Sequence, residues 1–204
     1  MTPIVLFTGR IQGWEHCTET LDRLRPFRGI VSLNADAPSP SHRAFFQRYE
    51  IQPEDIRYEP TPSLDPDVAA CRRFNMDETH AMKTWSMYYH RKRAFEAVPP
   101  DAECVISFRA DITAETPLPL LPLEPGVVYV PDGQDHNGLN DQIAYGSYDV
   151  MRTYCSAMDA IRPLVLEHNV EFHPETILLA HVQREKLPVR RFPYTWSLHP
   201  ARYL

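Results

Sequence analysis

Four short apolar runs, each cut off by charged, amide or glycine residues, constrain this chain more than any other feature. They are Pro3-Ile4-Val5-Leu6-Phe7 before Thr8-Gly9-Arg10, Gly29-Ile30-Val31-Ser32-Leu33 before Asn34-Ala35-Asp36, Cys104-Val105-Ile106-Ser107-Phe108 before Arg109-Ala110-Asp111, and Gly126-Val127-Val128-Tyr129-Val130 before Pro131-Asp132. Runs this brief cannot make a helix and read as buried strands. Between the first two, Glu15 to Leu24 places Cys17, Leu21 and Leu24 on one helical face. After the second, Pro40 to Tyr49 reads as a helix capped by Ser39 or Ser41, and Ile56-Arg57-Tyr58 as a third short strand. Strand, helix, strand, helix predicts an α/β fold with a mostly parallel sheet covered on both faces. Ligands of such sheets bind beyond the carboxyl ends of the strands, where Gly9, Arg10, Asn34, Asp36, Arg109 and Asp111 all fall.

The stretch from Cys104 to Tyr148 concentrates the polar chemistry. After Val130 the chain enters Pro131-Asp132-Gly133-Gln134-Asp135-His136-Asn137-Gly138-Leu139-Asn140-Asp141, dense in carboxylates, amides and glycine, and Gln142 to Gly146 then reads as a strand. Loops held by a rigid sheet bring such side chains together without burying them in the core. A carboxylate ending a buried strand, as Asp111 does, must be solvated, paired or bound to a cation. Mg2+ or Mn2+ takes few protein carboxylates together with waters and substrate phosphate oxygens, so one such acid suffices for a site. Taken singly, Asp111 reads as a strand cap and Asp141 as a turn cap.

Asp77 to Ala97 is the longest helical stretch, with Met82, Trp85, Tyr89 and Phe95 among its bulky positions and Asn75 or Asp77 as cap. Arg93 opposes the macrodipole at its end. Lys83 and Arg91 are candidates for diphosphate contacts, because a guanidinium grips two oxygens at once. Thr61 to Cys71 reads as an irregular excursion, Tyr148 to Ile161 as a helix ended before Pro163, Pro174 as the start of another helix, and Leu187 to Trp196 as a last strand. Glu175 and His181 can face a cleft, although such residues on surface helices are ordinarily solvated.

Composition narrows the function classes. At 204 residues the chain suits one domain with a substantial core. A net charge of -6 argues against binding a nucleic acid polymer, which needs a basic face, but leaves room for a nucleotide met by a cation and a few Arg or Lys. Cys17, Cys71, Cys104 and Cys155 have no CxxC spacing, so neither a zinc site nor a disulfide framework is expected. No apolar run reaches membrane-spanning length, and a cytoplasmic location is the expectation. The 20 prolines against 7 glycines cluster between the periodic runs and read as rigid connections.

In order, Val105-Ile106-Ser107-Phe108-Arg109-Ala110-Asp111-Ile112, Val128-Tyr129-Val130-Pro131, Gly138-Leu139-Asn140-Asp141-Gln142-Ile143-Ala144-Tyr145-Gly146-Ser147 and His173-Pro174-Glu175 with Leu178-Leu179 follow one another through the second half of the chain. This set resembles small GT-A-type glycosyltransferases, in particular WavE-like lipopolysaccharide-synthesis proteins and related transferase domains of large algal viruses. The resemblance implies a single GT-A-like domain, a nucleoside-diphosphate sugar as donor (a UDP-sugar foremost), a Mn2+ or Mg2+ ion, and a glycan or lipid-linked sugar as acceptor. Such enzymes hold metal and diphosphate with an Asp-x-Asp motif after a central strand. Here Arg109-Ala110-Asp111 stands in that place without the first acid, which leaves Asp111 as metal ligand and Arg109 to meet the donor or a neighbouring acid. His173 and His199 stand where such chains bring a further ligand. Asp141 occupies the region of the carboxylate that takes the acceptor's proton, with inversion as the consequence and Asp132 or Asp135 as alternatives. Two other readings compete: a non-catalytic sugar- or nucleotide-binding module, favoured by the missing acid, and a metal-dependent phosphohydrolase or nucleotidyltransferase.

Overall fold

The computed structural model describes residues 2–7, 11, 13–71 and 77–199. Its strands are β1 (Ile4–Phe7), β2 (Arg28–Leu33), β3 (Ile56–Tyr58), β4 (Val105–Phe108), β5 (Ile112–Ala114), β6 (Val128–Pro131), β7 (Ile143–Gly146), β8 (Val189–Phe192) and β9 (Trp196–Leu198). Seven of them form one sheet in the order β3-β2-β1-β4-β7-β6-β8, in which β7 alone runs against its neighbours. The register sets Phe7 level with Val31 and Phe108, and Phe108 opposite Ile143. The carboxyl ends of β1 and β4 therefore share an edge with the start of β7, and the chain leaves β4 as Arg109 at the middle of the sheet.

The alternation within each strand divides the core into two layers. Ile4, Leu6, Ile30, Val105, Val128, Val130 and Ala144 face one apolar cluster, while Val5, Phe7, Val31, Ile106, Phe108, Tyr129 and Tyr145 face the other. The first layer is covered by α4 (Glu78–Phe95), α5 (Tyr148–Cys155), α6 (Ala157–Leu166) and α7 (Pro174–Arg184), the second by α1 (Thr18–Asp22) and α2 (Pro40–Arg48). Both faces being buried, the strands need no polar alternation. A five-residue helix, α3 (Pro66–Ala70), capped by the Asp65 carboxylate, interrupts the expected irregular excursion.

Three expectations are corrected. The helix expected over Glu15–Leu24 is a 3-10 turn at Trp14–His16 followed by the single turn and a half of α1. The helix expected to stop before Pro163 instead breaks at Ser156, whose hydroxyl donates to the Thr153 carbonyl, and α6 runs through Pro163 to Leu166. Proline there removes one helical hydrogen bond, and burial of Ile161, Leu164 and Val165 outweighs that loss. Finally, the single last strand expected over Leu187–Trp196 is two, β8 in the main sheet and β9, which forms a separate antiparallel pair with β5, extended by the His199 amide donating to the Asp111 carbonyl at 2.8 Å. Among the described residues no helix is long and apolar enough to cross a membrane.

Candidate active site

The loop from Asp132 to Asp141 is held from three sides. Asn140 donates through Nδ2 to the Gly133 carbonyl, and its Oδ1 accepts from the amides of Gln142 and Ile143. The Asp135 carboxylate accepts from the Asn140 amide at 2.9 Å and pairs with Arg191. The Leu139 amide donates to the Glu175 carbonyl at 2.9 Å, which moors the loop to the first turn of α7. Only glycine fits beside that mooring, since a Cβ at Gly138 would lie 2.1 Å from the Glu175 carbonyl. Gln134, His136 and Asn137 all adopt positive φ angles (53°, 42° and 67°), a backbone cost that surrounding structure must hold in place.

Behind this loop stands Arg91, fully buried on α4. Its Nη2 donates to the Asp141 carbonyl at 2.5 Å, its guanidinium lies over the rings of Tyr88 and Tyr154, and among the described residues Nε and Nη1 have no hydrogen-bond partner. The expected role of Arg91 as a diphosphate contact is thereby overturned. Thr84, Tyr88, Arg91 and Phe95 recur at the spacing of one helical stripe, and that stripe faces the core. Arg91 anchors the backbone of the site from below.

The side chains converge on a cleft of about 1370 Å³ lined, among others, by Asn34, Lys83, Arg109, Asp141, His173 and Glu175. Of the residues expected to bind cofactor, Asn34, Lys83 and Arg109 thus share one wall system. Gly9 and Arg10 lie outside the described residues. Asn34 also accepts the Thr61 amide at 3.0 Å, which ties the chain after β3 to the end of β2. Lys83 is exposed and has no ion pair within 4.0 Å among the described residues. The Asp141 side chain is buried against the cleft, and among the described residues nothing hydrogen-bonds to its carboxylate.

Glu175, which the sequence allows to face a cleft but leaves as an ordinarily solvated helix residue, is instead buried on the cleft wall. Burial, and after it the neighbouring Asp141 carboxylate, push its acid up to about 8, so it holds its proton at neutral pH. Its Oε2 lies 2.7 Å from His173 Nδ1, and the His173 ring lies 6.5 Å from that of His136. The signal available in sequence was His173-Pro174-Glu175, which puts a carboxyl in the first turn of a helix at the edge of the loop.

A divalent ion does not fit these residues well. Asp111, the expected ligand, is 3% exposed and stands behind Arg109, not on the cleft wall. Arg109 Nε and Nη2 donate to its two oxygens at 2.9 and 2.7 Å. Among the described residues no three His, Cys, Asp or Glu side chains are grouped as a metal site, and His173 is turned to Glu175. Burial of Arg109 opposes its charge, but the Asp111 hydrogen bonds and the fields of Asp111, Asp141 and Glu175 outweigh it and raise its pKa, so the guanidinium is a permanent cation.

No family model matches this chain, and no curated protein matches it. Among solved structures it is similar to the crystal structure of mouse xyloside xylosyltransferase 1 in its apo form, with a TM-score of 0.50 and 12% identity over 94% of this chain and 84% of that one. At that identity the likeness concerns the fold, a single GT-A-like, Rossmann-like α/β domain with helices flanking a mostly parallel sheet.

Proposed function

We propose that this chain is a glycosyltransferase that moves a sugar from a nucleoside-diphosphate sugar, a UDP-sugar foremost, to a hydroxyl of a glycan or lipid-linked acceptor. The observation that carries the reading is the meeting of Arg109, Asp141 and Glu175 with Lys83 around one cleft, at the strand ends of a GT-A-like fold. A cationic wall meets the donor diphosphate, and a carboxylate that accepts no hydrogen bond among the described residues meets the acceptor.

In this reading Asp141 takes the proton from the acceptor hydroxyl as its oxygen forms the new bond to the anomeric carbon. The bond from that carbon to the donor oxygen breaks, and its electron pair leaves with the diphosphate, beside Arg109 and Lys83. Attack opposite the departing group inverts the anomeric configuration. Asp135 is ill suited to the same task because its carboxylate is already shared by Arg191 and the Asn140 amide. Glu175, carrying a proton at neutral pH, donates to a sugar hydroxyl instead of competing as the base. The buried Arg91 keeps the Asp141 backbone from yielding.

The reading is tested by incubating the protein with UDP-sugars and mixed glycan acceptors and following nucleotide release and glycan mass. Sugar-dependent release with a mass gain of one sugar on the acceptor is the expected result. Release of nucleoside monophosphate and sugar phosphate in place of nucleoside diphosphate would turn the assignment to a phosphohydrolase.

A further inference from the structure

We propose that this chain binds its donor diphosphate without a divalent cation, the guanidinium of Arg109 standing as a built-in positive charge where a metal ion would otherwise sit. The inference rests on the transferase reading and specifies its cofactor requirement.

A hard dication bridging protein and diphosphate needs carboxylate oxygens presented to the substrate. Here the one carboxylate that follows the central strand is withdrawn from the cleft and spent on an arginine. Asp111 accepts from both Nε and Nη2 of Arg109, a two-pronged pairing that fixes the guanidinium plane. The other terminal nitrogen, Nη1, makes no hydrogen bond among the described residues, and Arg109 itself lines the cleft. A cation approaching the Asp111 oxygens would have to dislodge a permanent positive charge that already lies 2.7 Å from one of them. Planar, weakly hydrated and unable to lose its proton, a guanidinium held this way matches two phosphate oxygens in the manner a point charge cannot. Lys83, on the same cleft and without an ion pair among the described residues, adds a second cation. Asp111 is then a positioning residue that acts through Arg109.

The experiment is isothermal titration of the full chain with UDP, GDP and dTDP, once in EDTA and once in Mn2+. Binding of one nucleotide with an affinity that the chelator changes by no more than about twofold is the expected result. In EDTA, Arg109→Ala should weaken that binding about tenfold or more, and Arg109→Lys, which retains charge but not the planar grip, should fall between. The wild-type chelator comparison does not depend on how any variant folds. Binding that needs Mn2+ would overturn the cation-free inference and leave the transferase reading standing. Wild-type affinity in Arg109→Ala would remove Arg109 from the role. If none of the three nucleotides binds in either buffer, the transferase reading falls and the inference with it.

Discussion

At the β4 end of the cleft, Arg109, Asp141 and Glu175 meet with groups left over: an arginine nitrogen and a carboxylate have no partner among the described residues, and one acid is held protonated. At the β2 end the polar residues satisfy one another. His90 Nδ1 lies 2.7 Å from Ser32 Oγ, its Nε2 lies 2.9 Å from Thr61 Oγ1, and Thr61 Oγ1 lies 2.8 Å from Ser86 Oγ. Burial lowers the His90 imidazole to about 4, so it is neutral and both ring nitrogens are used. Both groups line the same cleft. The difference teaches that polarity in a cleft does not by itself mark a reacting group. Side chains whose partners are inside the protein hold the architecture, and those left facing outward await a ligand.

The contrast is broken most directly at Asp141. Asp141→Asn should lower turnover on the order of 100-fold or more, while nucleotide affinity by titration and the thermal midpoint do not fall. The carboxylate accepts no hydrogen bond among the described residues, and the field it withdraws from Arg109 is offset by the repulsion it relieves at Glu175. Full activity in this variant would take Asp141 out of the mechanism.

Gly138→Ala tests the mooring that separates the corners. A Cβ there must displace the Glu175 carbonyl, and overpacking of this kind costs about 1–3 kcal/mol, a fall of roughly 2–12 °C in thermal midpoint for a domain of this size. An unchanged midpoint would mean the loop is not pressed against α7.

The two corners should also titrate in opposite senses. Glu175 binds its proton more tightly in the folded chain, where its pKa is about 8 against an ordinary 4.5, so its contribution is fully present below pH 4.5 and is lost as pH rises through 8. His90 binds its proton less tightly when folded, about 4 against an ordinary 6.5, so its contribution is present above pH 6.5 and is lost as pH falls through 4. Each slope is roughly 1.4 kcal/mol per pH unit at its steepest. Urea midpoints measured from pH 4 to 9 should lose the alkaline decline in Glu175→Gln and the acid decline in His90→Gln. Parallel curves for both variants and wild type would show that neither group titrates as described. The smallest effect is expected at Ser32→Ala, which removes one partner of a neutral imidazole. It should cost about 1 kcal/mol of stability with turnover kept within about twofold.

Much of the fold is legible in the sequence because buried strands betray themselves locally. Val105 to Phe108 or Val128 to Val130 can hardly be anything else, and their breaks into charge mark the edge where the site lies. Caps at Ser39 and Asp77 were legible for the same local reason. Strand β5 was not: three residues, Ile112–Ala114, become a strand only because Trp196–Leu198 returns to pair with them. Arg91 was misplaced when its charge was weighed above its spacing, although the interval from Tyr88 to Phe95 sets it on the buried stripe.

The chain order thus determined by itself that a mostly parallel sheet would form and that Arg109, Asp111 and Asp141 would leave it at strand ends or in adjoining loops, because apolar runs and their punctuation are local properties. Which acid faces the cleft and which is spent on an arginine was decided only by tertiary structure. Asp111 and Asp141 are alike as residues. One is turned inward onto the guanidinium two positions away, and the other is held at the cleft by the Arg91 beneath it and the helix beginning at Pro174 beside it. Proton affinity follows the same rule: Glu175 keeps its proton because folding removes it from water next to another carboxylate, an environment that exists only once α7 meets the loop.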